Sequence, residues 1–246
     1  MTANEKTSVA RLLDLASAVA SGGYMEAPAE YAFADDAETD SFHAGAVDNG
    51  IVDSLDQIAA DARACAACRL AQGRKNAVPG EGPDRPFVMV IGEGPGADED
   101  ASGRPFVGKA GQLLDKMLGA IGLSRQTNCY IANVVKCRPP ENRNPQPDEI
   151  AACAPFLERQ ARLLRPAFIL CAGKVAAGTL LRSQAGIGQL RGKITEIDLG
   201  GFTAPLLATY HPSALLRDEN LKRPAWEDLK TLRSALERAG FFAEEN

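Results

Sequence analysis

Phe87-Val88-Met89-Val90-Ile91-Gly92-Glu93-Gly94-Pro95-Gly96 is the stretch on which the fold turns. Five apolar residues in a row, without polar alternation, predict a strand buried on both faces, as in a parallel sheet. Three further runs of this kind follow, Tyr130 to Val135, Phe168 to Ala172 and Leu206 to Thr209. Helical patterns lie between and after them. Gly108 to Ile121 carries Leu113, Leu114, Met117, Leu118 and Ile121 at three- and four-residue spacing, and Pro147 to Leu164 has a proline near its start and an apolar stripe. Lys174 to Arg182 and Pro224 to Ala239 complete the set. Alternating strands and helices predict an α/β protein: three layers, α/β/α, around a mainly parallel four-stranded sheet. Gly192 to Phe202 reads as an antiparallel excursion or hairpin.

In such a sheet, ligands bind beyond the carboxyl ends of the strands, so chemistry is expected immediately after each run. The first run opens into a glycine-rich turn followed by Asp98, Glu99 and Asp100. That turn lacks a Gly-Lys-Ser/Thr ending and the G-x-G-x-x-G spacing, and three acids would repel phosphate. It suits a flat, weakly charged ligand, or is simply tight; the acids read as first-turn residues favoured by the helix dipole. Asn133 ends the second run, with Lys136-Cys137-Arg138-Pro139-Pro140 beyond it. The last leads into Tyr210-His211-Pro212-Ser213-Ala214-Leu215-Leu216-Arg217. His211 is one of two histidines in 246 residues. It precedes a proline-fixed turn and an apolar tip beside a cation, expected to be exposed and to suit an apolar wedge between DNA bases.

Six cysteines divide into two groups. Cys129 and Cys171 lie within apolar runs and read as small core residues. Cys65 and Cys68 form a Cys-x-x-Cys pair, and Cys137 and Cys153 stand further along. Four thiolates in this arrangement suit zinc and iron-sulfur chemistry equally. No apolar stretch is long enough to cross a membrane, and Val9 to Ala20 is interrupted by Arg11 and Asp14. A cytoplasmic location follows, in the bacterial cytosol and nucleoid, where thiols hold metal more often than they form structural disulfides.

Charge separates the chain into two parts. Residues 1–56 hold two basic and eleven acidic residues, a balance of −9, while the remaining 25 basic and 21 acidic residues leave +4. Residues 1–54 therefore read as an acidic, largely disordered extension, with a short helix over Thr7 to Ala20 and a linker from Ser21 to Gly50. Residues 55–246 form the folded domain, expected to be a monomer.

Taken together, Cys65-x-x-Cys68, Gly92-Glu93-Gly94-Pro95-Gly96, Gly103-Arg104-Pro105-Phe106-Val107-Gly108, Asn133-Val134-Val135-Lys136-Cys137-Arg138-Pro139-Pro140, Asn142-Arg143-Asn144-Pro145, Cys153 and His211-Pro212-Ser213 resemble family 4 uracil-DNA glycosylase, from about Leu55 onward. The resemblance implies that superfamily's fold and hydrolysis of the N-glycosidic bond of uracil in single- or double-stranded DNA, leaving an abasic site. It implies a structural 4Fe-4S cluster on Cys65, Cys68, Cys137 and Cys153. It also implies a uracil pocket of Glu93, Gly94, Pro95, Phe106, Asn133 and His211, with His211, Glu93 and Asn133 catalytic. Gly94 stands where the best-known branch has an aspartate, which leaves Glu93 as candidate water activator. Leu215 would fill the gap left by the flipped base. Ser213, Arg217, Lys136 and Arg138 would contact DNA, with Lys109 and Arg143 as further rim cations. A non-catalytic or cross-linking uracil-DNA binder is the alternative, but Gly108-Lys109-Ala110-Gly111-Gln112 follows Phe106-Val107 with no inserted basic loop. An iron-sulfur electron carrier would need neither Asn133 nor the His-Pro-Ser rim.

Overall fold

A computed structural model describes residues 53–242. The helix expected over Thr7 to Ala20 and the linker expected from Ser21 to Gly50 lie outside the described residues. Helix α1 (Leu55–Ala64) starts where the Ser54 hydroxyl accepts from the Gln57 N–H at 3.1 Å, satisfying one of the first turn's free donors. The single turn α2 (Leu70–Gly73) and an extended segment lead to β1 (Val88–Gly92). Next come α3 (Ala97–Ser102), α4 (Lys109–Gly119), β2 (Cys129–Asn133) and α5 (Pro147–Leu164). They are followed by β3 (Phe168–Ala172), α6 (Lys174–Leu180), α7 (Ile187–Leu190), β4 (Ile194–Asp198) and β5 (Thr203–Thr209). Helices α8 (Pro212–Arg217) and α9 (Lys222–Arg238) complete the described chain.

The sheet order is β2-β1-β3-β5-β4, with the first four strands parallel. It has five strands rather than the four expected. The additional one is the antiparallel excursion, which pairs along β5 as an edge strand with four of its five residues exposed. Alternate residues of the central strands feed two cores, one on each face. Met89, Ile91, Ala132, Ile169, Cys171 and Leu206 pack towards Leu157 of α5 and Ala176 and Ala177 of α6. Val88, Val90, Ile131, Leu170 and Leu207 pack towards Leu114 and Leu118 of α4 and Leu229 and Leu232 of α9. This is the expected three-layer α/β/α arrangement. Cys129 and Cys171 are fully buried, as expected of core thiols, and burial pushes Cys129 up to about 12.

Register brings the functional ends together. Gly92 lies opposite Asn133, and Ala172 opposite Thr209, so the residues following β1, β2, β3 and β5 emerge on one rim. Between β2 and α5 the chain is irregular and proline-rich, and one buried carboxylate ties it down. Glu149 accepts from both Nη atoms of Arg143 at 2.8 and 2.6 Å, from the Gln146 N–H at 2.7 Å, and from Arg69 at 3.0 Å. The Arg143 hydrogen bonds, chiefly, hold its carboxyl down at about 2. Arg143, which borders the rim as expected, is thus held by Glu149 rather than free. Glu149→Ala should lower unfolding free energy by about 2 kcal/mol in denaturant titration, through lost charge-assisted hydrogen bonds, and should speed proteolysis between Val134 and Gln146.

Candidate active site

A cavity of about 660 Å³ opens on this rim, lined by Glu93, Gly94, Phe106, Asn133, Tyr210 and His211 among others. Asn133 is 1% exposed, and its Oδ1 is the one buried side-chain polar atom without a hydrogen-bond partner among the described residues. A buried acceptor left unpaired costs about 1 to 3 kcal/mol, so an orphan aimed at a cavity marks a place for a ligand donor. Gly92 makes the arrangement possible. A Cβ there would collide with Asn133 Oδ1 and lie 2.5 Å from Phe106 Cζ.

Phe106 is buried and has φ 52°, a left-handed conformation disfavoured for any residue with a Cβ. Two clamps hold it there. The buried Arg125 guanidinium donates to the carbonyls of Pro105 and Phe106 at 2.7 and 2.8 Å, and itself pairs with Asp115 at 2.9 Å. Glu99 accepts from the N–H groups of Val107 and Gly108 with one oxygen, and from Gly96 with the other. Gly111 of α4 leaves room for the Phe106 backbone, which a Cβ would strike. The acids after the glycine turn are therefore more than first-turn residues: Glu99 joins that turn to the Phe106 loop, and buried Asp100 accepts from Lys75 and Asn76. Only half of a capping box is present, the Glu99 carboxylate accepting from the Gly96 N–H, because glycine has no side chain to return the bond; the partners across the loop follow no local pattern.

His211 caps α8. Its Nδ1 accepts from the Ser213 N–H at 3.1 Å and lies 2.8 Å from the Ser213 hydroxyl. With Nδ1 an acceptor, the neutral ring carries its proton on Nε2. Burial, aided by Arg217, pulls His211 down to about 4, so the ring is neutral across the physiological range. It lies 5.6 Å from the Phe106 ring, centroid to centroid. Gly173, at φ 101°, gives it space: a Cβ there would stand 2.8 Å from that of His211. Glu93 lines the same cavity, and burial raises its carboxyl above the ordinary range.

Other expected residues lie elsewhere. Pro95 is buried and does not line the cavity, because the turn directs Glu93 and Gly94 inward instead. Leu215 is 2% exposed, not a free tip; a short helix forms there, turning Leu215 inward and leaving Leu216 51% exposed. Lys136 is 1% exposed and so does not present its ammonium to phosphate. It donates to the Asn133 carbonyl at 3.0 Å and Gln160 Oε1 at 2.8 Å, and burial pulls it down to about 8. Arg138 is half-buried and bonds Asn142 Oδ1, while Lys109, Ser213 and Arg217 line the cavity mouth.

Cys137 and Cys153 are buried, Cys65 and Cys68 half-buried, and all four are free thiols. Burial raises Cys137, and the sulfurs of Cys68 and Cys65 add to it; Cys153 is pushed to about 11 mainly by burial, with Cys137 and Cys68 contributing. Arg74 donates to Cys137 Sγ at 3.0 Å and the Lys136 N–H to Cys153 Sγ at 3.2 Å. Among the described residues, no three such side chains close on a single ion-sized point. Four soft sulfurs are the ligand type of iron-sulfur clusters and of zinc alike.

The sequence matches the Uracil DNA glycosylase superfamily profile over residues 79–230. It is 43% identical over 190 residues to the type-4 uracil-DNA glycosylase of Saccharolobus solfataricus, covering 75% of this chain and 88% of that one. It is 40% identical to the type-4 enzyme of Archaeoglobus fulgidus over 74% of this chain and 92% of the other. For that of Pyrobaculum aerophilum the values are 44%, 67% and 86%. The chain belongs to the uracil-DNA glycosylase superfamily, in its type-4 branch.

Gly92→Ala should lower kcat/KM on uracil-containing DNA by about 10²-fold, because Asn133 or Phe106 must move, while the unfolding temperature changes far less. For His211 the ordinary value is 6.5 and the folded value about 4, so the unfolded chain takes up the proton first as pH falls. The neutral ring's contribution, full above pH 6.5, is lost as pH drops towards 4. His211→Gln should remove this component, so unfolding curves of parent and variant should converge on acidification through that window.

Proposed function

We infer that the protein is a DNA-repair glycosylase that hydrolyses the bond between uracil and deoxyribose, leaving an abasic site. The orphan Oδ1 of Asn133 carries this reading. Uracil offers an N3–H donor beside an O4 acceptor, which the Asn133 oxygen and NH2 match; cytosine presents the reverse and would leave buried polar groups unpaired. Phe106 supplies the stacking face for the flipped base.

When the C1′–N1 bond breaks, its electron pair leaves with uracil and negative charge grows on O2. The neutral His211 Nε2–H donates to that oxygen, a preorganised interaction worth about 3 kcal/mol in a dry pocket. Water then adds its hydroxyl to C1′, and its proton is released. Glu93, half-buried in the cavity lining, is our candidate to orient that water. A depressed histidine also explains why His211 acts as a donor and not as a cation.

Cys65, Cys68, Cys137 and Cys153 would hold a 4Fe-4S cluster, whose part is structural: it pins the loop after Asn133. Such a cluster, with Cys129 and Cys171 as free thiols, suits the reducing cytoplasm. The catalytic domain spans 55–246, acts as a monomer, and takes uracil from single- or double-stranded DNA, with residues 1–54 as an acidic extension. Ser213 and Arg217 at the cavity mouth, with Arg138 beside it, would meet phosphates. Exposure supports Leu216, not Leu215, as the wedge. Gly108 caps α4 directly after the Phe106 loop, which favours hydrolysis over sugar trapping.

A uracil-containing oligonucleotide incubated with cluster-loaded protein and then treated with alkali should break at the uracil; an intact strand overturns the reading. Leu216→Ala should lose at least about tenfold more activity on base-paired than on single-stranded uracil, whereas Leu215→Ala should chiefly lower stability.

A further inference from the structure

Among the described residues Lys136 is the most fully buried long cation, yet no carboxylate bonds it. Its ammonium meets only two neutral oxygens, the Asn133 carbonyl at 3.0 Å and Gln160 Oε1 at 2.8 Å. A buried charge without a counter-charge is costly, so a fold that retains one has a partner for it. The neighbouring candidates are sulfur. Lys136 donates its own N–H to Cys153 Sγ at 3.2 Å and precedes Cys137 in the chain.

Gln160 is committed on its other side. Its Nε2 donates to the Pro79 carbonyl at 2.9 Å and the Tyr130 hydroxyl at 3.2 Å, which fixes Oε1 towards the ammonium. The Lys136 carbonyl accepts from the Val78 N–H at 2.7 Å. One residue thus joins β2, α5, the segment before β1 and the cysteine cluster, and its tip holds the backbone of the base-reading asparagine.

We propose that Lys136 is a positioning residue: its buried ammonium is the internal counter-charge of the anionic cysteine-held cluster, and its bond to the Asn133 carbonyl ties the base-reading amide to that cluster. The proposal rests on the cluster reading above. Loss of the cluster leaves the cation uncompensated beside Asn133, so cluster occupancy and uracil recognition rise and fall together. Lys136 touches no substrate.

The test uses iron-loaded parent protein, Lys136→Met and Gln160→Glu. Gln160→Glu keeps an oxygen on the ammonium but gives it a carboxylate partner, so the cluster no longer has that charge to itself; Gln160→Met, which equally loses the bonds to Pro79 and Tyr130, is the control and should keep its cluster longer than Gln160→Glu. Decay of the cluster's visible absorbance under an iron chelator should be at least about tenfold faster in Lys136→Met and clearly faster in Gln160→Glu. A lysine that merely stabilised the fold would not make Gln160→Glu lose its cluster faster at an unchanged unfolding temperature. Lys136→Met should also bind an uncleavable 2′-fluorodeoxyuridine oligonucleotide with less preference over its abasic counterpart, at unchanged abasic affinity. Parental decay rates in folded, iron-loaded Lys136→Met overturn the proposal, and if that variant does not fold, parental rates in Gln160→Glu do so. A parent chain that purifies without iron overturns the cluster reading instead.

Discussion

The missing side chain at Gly92 is the constraint on which the pocket depends. Gly92 lies opposite Asn133 in the parallel register, and the volume its Cβ would take is filled by the Asn133 oxygen and the Phe106 ring. In the function proposed above, those two groups read the hydrogen-bonding edge and the flat face of a base. The close approach has consequences further out. Phe106 must hold a left-handed backbone, which needs the Arg125 and Glu99 clamps, and α4 must start close enough that only glycine fits at position 111. The strain lies beside the reacting centre, where surrounding contacts over-determine it.

The electrostatics follow the same economy. His211 works as a neutral donor because Ser213 occupies Nδ1 and because burial beside Arg217 disfavours a second proton. An imidazolium would bind any anion. A neutral Nε2–H discriminates by position, interacting most strongly when charge develops at one oxygen. Its partner Asn133 carries no charge either, so both polar contacts gain their strength from exclusion of water.

Much of this was legible in the residues. The four parallel strands follow from unbroken apolar runs, and α5 matches its expected bounds because Pro147 and the apolar stripe mark both ends. Asn133 and His211 could be named because ligand chemistry collects beyond strand ends, and Phe106 from the family resemblance; the cavity is lined by all three. What escaped depends on contacts distant in sequence. Lys136 looks like a rim cation until Gln160, 24 residues away, takes its ammonium inside, and Arg143 looks free until Glu149 closes on it. Leu215 and Leu216 are equivalent in composition; only the turn of α8 tells which one faces solvent. Glu99 needed the Phe106 loop, whose path no local pattern encodes.

The central claim is that the Asn133 amide stands open in the empty pocket as a matched acceptor and donor for uracil. Nuclear magnetic resonance of the Asn133 side-chain NH2, in protein labelled with nitrogen-15 and titrated with free uracil and then cytosine, tests it most directly. The account predicts a saturable shift of that resonance with uracil and none with cytosine at the same concentration. Equal shifts with both bases, or no response to uracil while other cavity residues respond, would contradict it.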